Sequence, residues 1–254
     1  TVNDSTLINL LKNPECQISY NDRMISLARF PNIGLGQVDR VITPETSTSS
    51  GTYSNPVGAT ITMKNSFNAT KWNAELNYIK KSTIKGYVSA DWYKEELRIY
   101  SVATNGQIRL VDGARYEFGG SSAIERCYIK NMLCELDEPG EWYFDENTNK
   151  FYLWPLTTIE NSTKIGIWAG PELFDINASY IHIKNLIVSN LMKKNRGEGA
   201  IDIRSGSHNL VAGCTFKNLF MSCFNIWYDV SNSKVLSCDA YDCGGSRCYG
   251  GKIT

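Results

Sequence analysis

One hydrophobic pattern returns through the last third of the chain at intervals of about two dozen residues, and it constrains the fold more than any other feature. Phe174-Asp175-Ile176 comes back as Ile201-Asp202-Ile203 and again as Phe224-Asn225-Ile226. Each is followed by a second apolar run, first Ile183 to Val188, then Val211 to Phe216, then Val235 to Ala240. Asn190, Asn218 and Asp242 come next, in register. The period is too long for a heptad and suits one coil of a parallel β-solenoid, which stacks equivalent residues of successive coils roughly 4.8 Å apart.

The register assigns faces. Ile183, Val211 and Val235 should stack inward, as should Leu186, Cys214 and Cys238, and Val188, Phe216 and Ala240. Asn190, Asn218 and Asp242 should form a polar stack at a sharp turn, where amide side chains tolerate left-handed backbone. Side chains alternate along a strand, so Asp175, Asp202 and Asn225 fall in one outward row with Arg204 nearby.

Composition bounds the partners. Lysine plus arginine and aspartate plus glutamate are 26 each, a net charge of zero that argues for neither a nucleic-acid nor an anionic-membrane partner. No apolar run is long enough for a membrane span. The start, Thr1-Val2-Asn3-Asp4, has neither an initiator methionine nor a signal peptide, so the chain reads as processed or as a segment of something longer. Asn3, Asn68, Asn161 and Asn177 head glycosylation sequons, each in a polar stretch expected to be a loop. The 8 cysteines fit an oxidising, extracellular compartment. They lack the paired spacing of a zinc site, and no metal or cofactor is called for. Cys127/Cys134 and Cys243/Cys248 are local candidates for bridges, and Cys214/Cys238 and Cys223/Cys248 share inward registers. A buried stack of reduced thiols is an equally good reading of those last pairs.

Ahead of the coils the organisation changes. Residues 1–24 read as entry strands, with Leu7 to Leu11 and then Cys16 to Tyr20. Residues 25–164 read as a β-rich, mainly antiparallel insert, and 165–254 as the coils. Within the insert, 31–70 is rich in glycine, serine, threonine, asparagine and proline and reads as mostly loop, and a short helix is expected around Ala74–Lys80. Trp142 to Asp145 and Lys150 to Trp154 flank a polar turn and form the clearest hairpin.

Three motifs in order, Ser26 to Asn32, Gly86 to Trp92, and Leu136-Asp137-Glu138-Pro139-Gly140-Glu141-Trp142-Tyr143-Phe144-Asp145, resemble secreted right-handed parallel β-helix proteins of the pectin-lyase-like superfamily. The version with this insert is similar to β-helix glycoside hydrolases. The resemblance covers roughly residues 16 to 254 and implies an all-β fold: a short right-handed parallel β-helix of about three to four coils with a mainly antiparallel insert. It implies a secreted protein that binds or hydrolyses a polysaccharide. The shared motifs look architectural, with Arg29, Trp92 and Trp142 fixing the insert against the coils.

An enzyme would use the outward row. A glycosidase needs two carboxylates, about 5 Å apart for retention and wider for inversion. Asp202 is the first candidate, with Asp175 or Asp229 as partner; Trp227 and Tyr228 offer stacking faces, and Arg204 or Arg247 would bind an acid sugar. A lyase would need carboxylates for calcium beside a basic residue, for which Asp175, Asp202 and Arg204 are a minimal set. The competing class is a non-enzymatic structural glycoprotein. A short solenoid has open ends, and self-association through Leu7–Leu11 or Arg247–Thr254 would stack copies into a filament.

Overall fold

The computed structural model describes residues 1–13, 16–120, 125–168, 173–191, 199–219 and 222–243. The chain separates into two compact units, one of residues 1–2 and 25–161, the other of 3–24 and 162–254. Among the described residues it is all-β apart from two short helices and a 3-10 turn. Among the described residues no helix is long and apolar enough to cross a membrane.

The chain opens with a helix where strand was expected. α1 (Ser5–Lys12) is capped by Asp4, whose carboxylate accepts from the N–H groups of Thr6 and Leu7 at 2.8 and 3.0 Å. Leu7, Ile8, Leu10 and Leu11 recur at helical spacing, and Leu11 is buried. β1 (Gln17–Tyr20) follows as expected.

In the unit of 25–161, β2 (Arg23–Leu27) contributes its last residues and β3 is Arg29–Phe30. Next come β4 (Gly36–Thr43), β5 (Thr60–Met63), α2 (Ala69–Tyr78), β6 (Thr83–Ala90), β7 (Tyr93–Val102), β8 (Ile108–Leu110) and β9 (Arg126–Lys130). A 3-10 turn, Leu133–Glu135, leads to β10 (Glu141–Asp145) and β11 (Lys150–Trp154). Six strands pair in the order β9-β4-β5-β8-β7-β6, and β6 pairs with β9 to close an antiparallel barrel. β4 and β5 are staves of this barrel, set in a stretch, 31–70, that is otherwise mostly loop as read. Their short alternations, such as Val38-Asp39 and Arg40-Val41, lay hidden between long polar stretches.

Val38, Ile61, Ile84, Leu97, Ile99, Ile108, Cys127 and Ile129 form the barrel core, and α2 adds Trp72 and Leu76. Closure of the ring depends on Gly86. A Cβ there would lie 2.1 Å from the Arg126 carbonyl oxygen and 2.5 Å from Cys127 Cα. β10 pairs antiparallel with β11 in the expected hairpin, Glu141 opposite Trp154 and Asp145 opposite Lys150. The motif before it is organised by the buried carboxylate of Glu141, which accepts from the N–H groups of Asp137, Glu138 and Arg29 at 3.0, 3.3 and 3.3 Å. Gly140 takes a φ of +92°, a conformation that favours glycine.

The three residues expected to anchor this unit make local contacts. Arg29 donates to the carbonyls of Pro31 and Gly34 and lies over the Tyr128 ring. Trp142 packs on Phe151. Trp92 is 63% exposed at a hairpin tip, against Tyr93 and Tyr116.

In the other unit β12 (Ile165–Trp168) pairs antiparallel with β1, Ser19 opposite Gly166. Then the chain makes three passes. The first carries β13 (Phe174–Asn177), β14 (His182–Lys184) and β15 (Ile187–Ser189). The second carries β16 (Gly199–Ser207), β17 (Leu210–Ala212) and β18 (Thr215–Leu219). The third carries β19 (Ser222–Ile226), β20 (Val230–Ser231), β21 (Lys234–Leu236) and β22 (Asp239–Cys243). Every pairing between passes is parallel, in the sheets β13-β16-β19, β14-β17-β21 and β15-β18-β22. Ile183, Val211 and Val235 are aligned, as are Val188, Phe216 and Ala240. Most of these side chains belong to one apolar cluster; Leu186 and Ala240, both on outer passes, are exposed. Asn190 and Asn218 take φ of 62° and 51°, the left-handed conformation expected of that turn. The side chain of Asp242, together with Arg247 and Cys248, lies outside the described residues.

The seven described cysteines are free thiols, so the bridges Cys127/Cys134 and Cys214/Cys238 are not formed. Cys127 points into the barrel core beside the Met63 sulfur, whereas Cys134 sits on the 3-10 turn. Cys214 and Cys238 occupy inward positions as small apolar groups, each thiol turned to backbone carbonyls of its own and the preceding pass.

Candidate functional site

Parallel pairing places Asp175, Asp202 and Asn225 opposite one another on consecutive strands. Adjacent parallel strands are about 4.8 Å apart, so the two aspartates begin from the spacing of a retaining pair. Arg204, two residues beyond Asp202, leans back over both. Its Nε lies 2.8 Å from Asp175 Oδ1 and its Nη2 3.3 Å from Asp202 Oδ2. The guanidinium also stands 5.3 Å from the centre of the Trp227 ring. Asp175 receives a further contact from Asn177 Nδ2 at 3.4 Å.

The row is not uniformly outward and solvated, as the alternation suggested. Asp202 is wholly buried and Asn225 nearly so, while the Asp175 side chain is 41% exposed. Residues 199–203 of β16 are buried on both faces of the strand. A buried carboxylate requires compensation, which Asp202 receives from Arg204 and from the Gly199 N–H at 3.1 Å. The glycine is needed there, since a Cβ would come within 2.9 Å of the Phe224 backbone.

The four residues Asp175, Asp202, Arg204 and Trp227 are therefore brought together. Tyr228 and Asp229 are not part of this contact set. They form the exposed turn between β19 and β20, where Asp229 makes no hydrogen bond or ion pair with the described residues. Of the sequon asparagines, Asn3, Asn68, Asn161 and Asn177 are all exposed. Asn68 also caps α2, its Oδ1 accepting from Lys71 N at 3.0 Å. Among the described residues no three His, Cys, Asp or Glu side chains converge on a metal position, and Asp175 and Asp202 are both partners of Arg204.

At the surface this cluster presents one carboxylate, one guanidinium and the indole of Trp227 beside the 81% exposed Tyr228. Such a set can exchange hydrogen bonds with vicinal hydroxyls while a ring face packs on C–H groups. Sequence reasoning missed a second group of polar residues, in the barrel unit, where Glu135, Asp137 and Glu138 line a cavity with Phe30 and Phe67. Burial pushes the Glu135 carboxyl above its ordinary value, against the Trp72 hydrogen bond that opposes the shift. The signal was present in the Leu136–Asp145 motif, but its architectural role is legible locally and the cavity requires 30–33 and 67–71, distant in sequence.

No family model and no curated protein matches the chain. Among solved structures, a glycoside hydrolase is similar over 90% of this chain and 54% of its own, with a TM-score of 0.56 and 13% identity. The chain thus spans about half the length of the structure it matches, and at this identity the likeness concerns the fold, which is glycoside hydrolase-like.

Proposed function

We propose that this chain is part of a secreted right-handed parallel β-helix protein that binds a polysaccharide through the row headed by Asp175, whose single solvent-facing carboxylate supports binding ahead of hydrolysis. The observation that carries the reading is the alignment of Asp175 and Asp202 on consecutive parallel strands beneath Arg204 and Trp227. The glycoside hydrolase-like fold supports the carbohydrate class. In this reading Asp175 is the carboxylate that touches substrate, Arg204 orients it and binds hydroxyls, and Trp227 supplies a stacking face. Asp202 acts through Arg204, as a positioning residue. Exposure of all four sequon asparagines agrees with a secreted glycoprotein.

The test is affinity electrophoresis of the chain in gels containing different plant, microbial and animal polysaccharides, with reducing-sugar release assayed in parallel. At least one polysaccharide should retard the protein, and Asp175→Asn and Trp227→Ala should each abolish most of the retardation. Equal retardation of both variants would remove the row from the binding site.

A further inference from the structure

The barrel unit carries an open cleft of about 580 Å³ that the carboxylate row does not use. Its volume lies in the range of about 300–1,000 Å³ usual for small-molecule sites. Phe30 and Phe67 line it, and both are fixed by Trp72: Phe67 stacks on the indole at 4.0 Å between centres and Phe30 meets it edge-on at 5.5 Å. Three carboxylates and Lys71 complete the part of the wall that matters here.

Glu135 sets this cavity apart from a packing defect. It is 8% exposed, yet it lines the opening. Its Oε1 accepts from Trp72 Nε1, and Oε2 receives no hydrogen bond from the described residues. Oε2 is not among the buried polar atoms left without a partner, so it keeps solvent access and is free to meet a ligand hydroxyl. Asp137 is already oriented, with Asn32 Nδ2 donating to its Oδ1 at 2.9 Å. Glu138 is exposed at the rim.

We propose that this cavity is a saccharide-binding subsite, with Glu135 and Asp137 engaging ring hydroxyls while Phe30 and Phe67 pack on a C–H face of the sugar. Aromatic faces joined to several acceptors and one ammonium suit a ring with apolar faces and a hydroxyl rim. The ligand class rests on the carbohydrate reading above, but the residues belong to the other unit of the chain, so the two can fail separately.

The full chain is titrated by saturation-transfer NMR with methyl β-D-glucopyranoside, methyl α-D-galactopyranoside, N-acetylglucosamine and galacturonate, and with methylammonium as a cationic probe. At least one sugar should bind with a millimolar or tighter Kd. Glu135→Gln retains an acceptor for Trp72 and should weaken that binding about tenfold or more, by loss of a charged hydrogen-bonding group. Glu138→Ala, at the exposed rim, should weaken it by a smaller factor, and it carries the test if Glu135→Gln does not fold. Asp175→Asn, in the other unit, should leave in place the part of the binding that Glu135→Gln removes. Absence of sugar binding, preference for methylammonium, or binding lost in Asp175→Asn but intact in the cavity variants would overturn the proposal. Sugar binding that survives in a protein whose polysaccharide retention ignores Asp175→Asn would instead sink the carboxylate-row reading alone.

Discussion

At the residue scale, burial decides what a charged side chain can do. Asp202 and Asp175 occupy equivalent strand positions, but one is enclosed and the other meets solvent. Asp202→Asn should therefore destabilise the fold by about 2–4 kcal/mol, since the amide abandons Arg204 and leaves a partly buried guanidinium with one partner fewer. Asp175→Asn should cost less than about 1 kcal/mol, as expected for a half-exposed pair. Urea denaturation of the two variants checks the order. Glu96 gives a pH-dependent counterpart. Burial pushes its carboxyl up, but Lys130 and Lys85, at 2.8 and 2.9 Å, outweigh that and hold it down at about 2. A lowered pKa means the ionised form stabilises the folded state, fully so above the ordinary value of 4.5, with the contribution lost as pH falls through about 2. Glu96→Gln should remove about 1 kcal/mol at neutral pH, and the difference from the native protein should shrink steadily as denaturation is repeated from pH 4.5 down to about 2.

At the element scale, the barrel depends on one seam. β6 meets β9 with Gly86 opposite Cys127, and the space for a side chain at Gly86 is occupied by the backbone of Arg126 and Cys127. Backbone cannot yield as a flexible side chain does. Gly86→Ala should thus destabilise the barrel by about 3 kcal/mol and expose the amides of 126–130 to faster hydrogen exchange, whereas Gly106→Ala, strained locally by a φ of +85° but with nothing nearer than 4.0 Å to its Cβ, should leave those amides protected. The parallel passes behave differently, because each strand of β17 is held on both sides. Val211 lies between Ile183 and Val235 and is almost completely enclosed, so Val211→Ala should cost about 2 kcal/mol by thermal denaturation.

At the scale of the whole molecule, the two units are built from different kinds of contact. The barrel closes on itself by antiparallel pairing, with every partner inside residues 36–130. The other unit is assembled from two segments, residues 3–24 and 162–254, joined by the pairing of β1 with β12. Residues 25–161 expressed alone should accordingly show cooperative thermal unfolding and a β-type circular dichroism spectrum. A non-cooperative melt of that fragment would show that the barrel is not an autonomous unit.

What the sequence determined by itself was periodic or local. The return of Phe174, Ile201 and Phe224, the left-handed positions at Asn190 and Asn218, and the hairpin of β10 and β11 were legible because each is written within a few residues or repeated at a constant interval. Strands β4 and β5 were not, since their stability comes from partners across the barrel and not from their own short patterns. Alternation likewise assigned Asp202 to a face of its strand but could not say what covers that face. Burial, the reach of Arg204 over two passes, and the meeting of Phe30, Phe67 and Glu135 around one cavity are properties of chain segments brought together from a distance. Tertiary structure alone decides them, because the desolvation of a charge depends on everything that surrounds it and not on its neighbours in the chain.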